Sequence, residues 1–416
     1  MNTSSGKKNA YASFLIKDFR LFLAARFCVT LAVQIQGVVV AWQVYQVTED
    51  ELSLGFIGLA EALPSISVSL YAGHVADVVQ RKKIILTAVS TLLCCSLALM
   101  FFTIDVGAFI ISKGILPIYA VIFISGLARG FLTPANFSFM PQLVPRDLYT
   151  NAVTLNSSLW QTAASAGPAL GGFIYGFYGV TASYVVDALL VLTGLFFYLQ
   201  IPGRPLPPST HEDQGVVEKI QTGLRFLFSN QVLLSAISLD LFAVLFGGAV
   251  ALLPVFAEEI LFVGPEGLGV LRTSPWIGAF IVGFYLTHNP IRKNMGKILL
   301  YSVAGFGLCM IAFALSRDFW LSLFLLSLSG AFDCVSVIVR GSLLQTLTPE
   351  NMKGRISAVN NIFVGSSNEI GAFESGVAAK LMGTVPSVVF GGCMTLLVVM
   401  FTGWKATKLR NLQQVE

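Results

Sequence analysis

Residues 145–159, PRDLYTNAVTLNSSL, lie over residues 349–363, PENMKGRISAVNNIF, when the chain is shifted by 204 positions. The same shift places Pro145 on Pro349, Asn156 on Asn360, Gly126 on Gly330, Gly167 on Gly371, Gly172 on Gly376 and Gly179 on Gly383. One ungapped offset over such a distance marks an internal duplication. Gly and Pro carry it, and their backbone roles are hard for other residues to fill. The second half repeats the first in the same direction.

The content of each half follows from hydropathy. A hydrocarbon core about 30 Å thick takes about 20 helical residues to cross. Apolar runs of that size lie at about 21–47, 53–75, 84–103, 116–139, 152–176, 181–200, 231–256, 267–288, 298–315, 320–342, 355–379 and 385–404. They are too long and too uniformly apolar for barrel strands. Six precede and six follow a polar stretch at 201–230. It opens PGRPLPPSTHEDQG, a Pro-rich linker that cannot span. It continues VVEKIQTGLRFLFSN, where Val217, Ile220, Leu224 and Leu227 share one helical face. That spacing predicts a helix lying on the membrane surface. The expected organisation is all-α: a six-helix bundle over 1–200, a linker over 201–230 and a second six-helix bundle over 231–416. Parallel repeats of this kind place a transport site between the halves near mid-membrane.

Composition agrees. Of 416 residues, 55% are hydrophobic and only 12% charged, with a mean hydropathy of +0.77; soluble domains carry about 25% charge. The net charge of +4 does not point to nucleic acid, because the basic residues sit between apolar runs rather than on one arm. With both termini on one side, 19 of the 26 Lys and Arg fall there, three on the other side, and Arg26, Arg129, Arg272 and Arg340 lie within spans. The excess of positive charge predicts cytoplasmic termini. Residues 1–20 are polar and basic, and the first apolar run lacks a small-residue cleavage site, so that run is expected to be a spanning helix that also directs insertion. The six Cys all fall in apolar runs and read as small helix residues. Trp42, Tyr45 and Trp404 lie at span ends and read as interfacial anchors. No GxxxxGK[ST], HExxH or GxSxG occurs, and the three His are isolated. Nucleotide drive, a metal centre, a bound cofactor and an enzyme active site are therefore not expected.

Two motifs narrow the reading. The loop after the second run is GHVADVVQRKK, with Gly73 and Asp77 four residues apart ahead of Arg81, Lys82 and Lys83. It resembles the loop signature of the major facilitator superfamily, Gly-x-x-x-Asp followed by a basic cluster. The resemblance implies a gating latch that closes the inner side, with Asp77 near the start of the eleventh helix, where a helix dipole favours an anion. Val78 and Gln80 depart from the usual basic residue and Gly. Within the fifth run, AGPALGG resembles the Gly-Pro-x-x-Gly-Gly segment of facilitator antiporters through Gly167, Pro168, Gly171 and Gly172. A kinking Pro among glycines suits a hinge, and the same glycines would serve close packing in any membrane bundle. With LAARF at 23–27 and the Thr348-Pro349, Gly354-Arg355 element, the chain is similar to the drug-efflux branch, that of the macrolide exporters and the enterobactin exporter. The resemblance implies the major facilitator fold, usually a monomer.

Charges inside the membrane mark function, since each costs about 2.5–3.5 kcal/mol at the centre unless paired or hydrated. In the family fold the first, fourth, seventh and tenth helices line the cavity. They carry Arg26, Gln36 and Gln43; Arg129 and Asn136; Asp240; and Asp333 and Arg340. The repeat offset sets Arg129 opposite Asp333, which suggests a charge pair or switch across the cavity. Burial disfavours an anion, so mid-span acids are candidate proton carriers: Glu61, Asp333 and Glu369. A permanent ion pair is the alternative for each. Asp187, Arg272, Arg340 and Glu374 sit nearer span ends, where a structural role is expected. The reading is a proton-coupled antiporter in a bacterial inner membrane that exports an amphipathic organic molecule, a drug or a siderophore. A lipid or metal-ion exporter on the same fold and a non-transporting receptor are the alternatives.

Overall fold

The computed structural model describes residues 13–112, 114–205, 216–289, 291, 293–349 and 352–412. Among them there is helix and no strand. The first half comprises α1 (Lys17–Thr48), α2 (Glu51–Val78), α3 (Arg81–Phe101), α4 (Asp105–Ser112), α5 (Leu116–Phe139) and α6 (Tyr149–Gln200). Then come α7 (Val216–Ser229) and α8 (Gln231–Phe246), which a 3-10 turn, α9 (Leu253–Val255) and a π-helical turn over Phe256–Ile260 extend. The second half closes with α10 (Gly264–His288), α11 (Met295–Leu315), α12 (Phe319–Leu347), α13 (Lys353–Met382), α14 (Thr384–Lys405) and α15 (Thr407–Arg410).

Ten of the described helices are long and apolar enough to cross a membrane. One of them, α6, is 52 residues long and turns back at Gly179, whose φ of 82° and ψ of 176° interrupt the helix. It supplies two of the expected spans. The 30-residue α13 is more polar than those ten, with Lys353, Glu369, Glu374 and Lys380 along it, and it occupies the place of the eleventh expected span.

The duplicated glycines have matching structural roles. Gly179 and Gly383 both take positive φ, 82° and 91°, at the turn into the last helix of each half; a side chain there would be strained. Gly172 and Gly376 both meet a glycine of the opposite half. A methyl on Gly172 would lie 2.7 Å from the Gly269 Cα, and one on Gly376 would lie 2.9 Å from the Gly55 Cα. Gly167 packs on α1 and Gly371 on α8, while Gly126 and Gly330 face α2 and α10. Small residues let membrane helices approach closely, where packing supplies the association energy that lipid does not.

Two hydrophobic clusters, around Phe22 with Phe139 and around Ile35 with Tyr184, form within the first half, and a third, around Leu239 with Leu343, within the second. A fourth joins Val38 and Trp42 to Leu252, Phe256 and Phe313, across the halves. Two expectations change here. Trp42 and Tyr45 are buried in cross-half packing rather than anchoring at headgroups, whereas Trp404 is exposed as expected. On α7, Leu224 and Leu227 pack against α8 and α13 side chains, so this face rests on the second bundle rather than on lipid alone. The side chains of Val217 and Ile220 lie outside the described residues.

Candidate functional site

α2 and α13 cross where Gly55 and Gly58 leave room for Phe373 and Ala372. That crossing sets two acids near each other. Glu61 stands on α2 one turn beyond Gly58, and the Glu369 carboxyl, from α13, would lie 3.5 Å from a methyl on Gly58. Arg129 of α5 forms an ion pair with Glu61, and 24% and 30% of the two side chains are accessible. Arg272 of α10 crosses the interface and donates to the Gly37 carbonyl of α1 at 2.9 Å. Arg129, Arg272, Glu61 and Glu369 act on one another electrostatically. Two basic and two acidic residues, from α5, α10, α2 and α13, thus form a quartet drawn from both halves. Within the first half, Gln36, Gly37, Ser125, Glu61 and Arg129 border a small cavity beside it, and the Arg129 Nε and Ser125 Oγ atoms are buried without a hydrogen-bond partner.

The structure brings some of the expected residues together and separates others. Arg129 pairs with Glu61 of its own half, not with Asp333, so the charge pair read from the repeat offset is absent. The offset superposes equivalent positions of two bundles and says nothing about which side chains touch. Asp333 is half-buried with no ion-pair partner among the described residues, and the same holds for Arg26 and Glu369. Gln36 reaches the cavity and lies 3.5 Å from the Asp187 carboxylate. Gln43, Asn136 and Asp240, expected to line the cavity, are instead buried with internal partners. Tyr184 donates to Gln43 at 2.6 Å, Tyr198 donates to Asn136 at 3.0 Å, and Asp240 pairs with Arg340. Asp187 of α6 is fully buried and faces Gln36 of α1.

Of the latch loop, the side chains of Gly73 and Asp77 lie outside the described residues, as do those of Lys353 to Arg355 facing it in the family pattern. Arg81 donates to the Ser138 carbonyl at 3.2 Å and Lys82 to the Leu199 carbonyl at 3.1 Å. Both therefore sit on helix C-terminal ends of the first half, where a cation is favoured. In the GPALGG segment, Gly167 and Gly171 face Gln34 and Ile35 of α1, and Gly172 faces α10, with Pro168 and Gly269 in contact across the seam.

The sequence reading missed Arg272, which it placed in a structural role near a span end. Its signal was present as spacing: Arg272 and Trp276 stand four residues apart on one face of α10. Also unforeseen was the far end of the molecule, opposite the linker, where Lys380 pairs with Asp50 at 2.5 Å, Thr384 lies 3.5 Å from Glu51 and Tyr45 bonds Glu259. Asp50, in the turn between α1 and α2, also accepts from the Ser53 amide at 3.2 Å. Burial works against its charge, but the bonds from Lys380 and Ser53 outweigh that and hold its carboxyl below the usual carboxylate range.

Residues 8–416 match the family described as transmembrane secretion effector, within the major facilitator superfamily. The chain belongs to that family. It is 26% identical over 397 residues to the enterobactin exporter of Shigella boydii, covering 95% of this chain and 93% of that one. It is 27% identical over 400 residues to the enterobactin exporter of Salmonella typhi, covering 95% and 94%. Its fold is similar to a bacterial homologue of the iron transporter ferroportin in an inward-facing state, with a TM-score of 0.72, 14% identity and coverage of 95% and 99%. It is also similar to the xylose transporter of E. coli in an inward open conformation, with a TM-score of 0.67, 12% identity and coverage of 98% and 100%. The chain is accordingly a multi-pass membrane transporter acting on a small molecule, not an enzyme.

Proposed function

We propose that this transporter exports an amphipathic organic small molecule, of the siderophore or drug class, by proton antiport and alternating access. The observation that carries this reading is the charge quartet drawn from both halves. Glu369 belongs to it without a direct ion pair among the described residues, so a proton can come and go without breaking one. Glu61, locked to Arg129, sets the local charge that a proton on Glu369 would unbalance. Asp333 of α12, without an ion-pair partner among the described residues, is the second candidate carrier. The likeness to enterobactin exporters over nearly the whole chain supports a siderophore-type cargo.

Alternating access supplies the mechanism. The bundles over 1–200 and 231–416 rock as units about the seam, joined by the 201–230 linker. The excess of basic residues on the linker side supports cytoplasmic termini in a bacterial inner membrane. In that orientation the Asp50–Lys380 pair and the Gly55–Gly376 and Gly172–Gly269 crossings seal the outer end, and the described form faces inward. Gly167, Pro168, Gly171 and Gly172 let α6 change its angle against α1 and α10. Gly73, Asp77, Arg81 and Lys82 would close the inner end in the opposite state. No resident cofactor or metal enters the cycle; the partners are the cargo, protons and lipid, and the working unit is a monomer.

Everted membrane vesicles loaded by respiration test this. Uptake of an iron-free siderophore should require the proton gradient and collapse on adding an uncoupler. Glu369→Gln should lower gradient-driven uptake at least tenfold while leaving the amount of folded protein unchanged. Uptake indifferent to the uncoupler would overturn proton coupling, and full activity of both Glu369→Gln and Asp333→Asn would show that these acids carry no proton.

A further inference from the structure

Trp160 of α6 and Trp276 of α10 meet edge to face across the seam, with ring centroids 5.9 Å apart and planes at 77°. Trp160 remains 42% exposed, and Trp276 is half-buried. Helical phase sets the direction of that exposure. Trp160 lies four residues before Ala164, whose carbonyl accepts from Gln34 of α1, and seven before Gly167, which packs on the same Gln34. Residues four and seven apart share a face, so Trp160 points toward α1 and the interior, not toward lipid. Trp276 lies seven residues after Gly269, which packs on α6, and four after Arg272, which reaches α1. Both indoles therefore face the space between the halves.

Hydrogen-bond donors with unused capacity lie beside this seam, Arg272 against Gly37 and Arg129 on the first-half cavity that Gly37 also lines. Arg272 carries five N–H donors, and its one hydrogen bond among the described residues goes to the Gly37 carbonyl. The Arg129 Nε, beside Gly37 on the cavity wall, is buried with no acceptor. Arg26 stands one helical repeat before Val33 and two before Val40, both of which border the cavity, and it has no carboxylate partner among the described residues. Glu61, held by Arg129, and Glu369, which faces Gly58 of α2, act on Arg272 electrostatically, but neither forms a hydrogen bond or ion pair with it among the described residues.

We propose that the α6–α10 seam is a subsite for an aromatic organic anion, in which Trp160 and Trp276 take the ring and Arg272 takes the negative group. The inference rests on the transport reading and narrows its cargo. A ring seated between two indoles gains offset or edge contacts beyond its buried area, and a guanidinium one turn away matches a planar carboxylate or phenolate with paired N–H groups. A cation would find aromatic faces here too, but beside an arginine that repels it.

The test measures binding to the purified full-length protein in lipid nanodiscs by equilibrium dialysis of radiolabelled salicylate. Cyclohexanecarboxylate, an anion without an aromatic ring, and benzylamine, a ring with positive charge, serve as competitors. Salicylate should bind saturably, and each competitor should displace it at least tenfold less well than unlabelled salicylate. Trp276→Leu should weaken salicylate about tenfold, the scale of one lost ring contact. Arg272→Gln should erase the preference for salicylate over benzylamine, and Arg272→Lys, which keeps the charge, should retain it. Equal displacement by benzylamine, or unchanged affinity in Trp160→Leu and Trp276→Leu, would overturn the proposal. So would the absence of saturable salicylate binding to protein that still transports in vesicles. Binding that persists while gradient-driven transport fails would strike the transport reading alone.

Discussion

Asp240 and Arg340 are 4% and 5% exposed and form an ion pair inside the second bundle. Removing one member leaves a charge buried without its partner, which costs about 3–5 kcal/mol, whereas replacing both with apolar residues of similar size is often neutral. Arg340→Met alone should therefore lower the thermal unfolding midpoint of the detergent-solubilised protein sharply, and Asp240→Leu with Arg340→Met should recover most of it. If the double variant is as unstable as the single one, the pair does more than neutralise itself. The sequence identified both residues as intramembrane charges, because charge within an apolar run is visible from composition alone. It did not show that they pair, nor that Arg129 takes Glu61 rather than Asp333. Pairing depends on how α8 meets α12 and how α2 meets α5, and no spacing along one helix encodes that.

At the scale of helices, the seams turn on single glycines. A methyl on Gly376 would come within 3.0 Å of the Glu51 carbonyl oxygen as well as 2.9 Å from the Gly55 Cα. Gly376→Val should prevent α13 from closing on α2 and shift the population toward the form open at the end opposite the linker. A cysteine placed at Val38, now buried in the cross-half cluster, would then label faster with a membrane-impermeant thiol reagent in intact cells; unchanged labelling would mean that the seam adapts. These glycines were legible as a repeat, since Gly is selected where backbones touch. Their partners Gly55 and Gly269 were not, because they fall outside the 204-residue offset. The sharp breaks at Gly179 and after Phe246 likewise follow from local backbone: positive φ in the first, and a Gly247-Gly248 pair ending α8 in the second.

For the whole molecule, the end opposite the linker is sealed in part by a titratable contact. Asp50 is held below its ordinary range by Lys380 and Ser53. A depressed acid contributes stability above its unfolded value, near 4 for an aspartate, and that contribution is lost as pH falls through the lower folded value. The seal should thus be fully present near neutral pH and weaken only in acid below about pH 4. Hydrogen exchange in residues 49–56 should speed up over that acid window in the wild type. In Asp50→Asn it should be fast already at neutral pH, with little further change. The same acceleration near neutral pH in the wild type would assign the seal to another group.

By itself the sequence determined the membrane class, the family and the positions of the charges within apolar runs, and it predicted two like halves joined by a linker. These depend on composition, periodicity and local backbone demands, which are properties of the chain read in order. Only the tertiary structure decided which charges meet, that Gln43, Asn136 and Asp240 are occupied within bundles, and that Arg272 and two tryptophans face the seam. Such contacts arise where helices distant in the chain cross, and the crossing is set by close packing of many side chains at once rather than by any one of them.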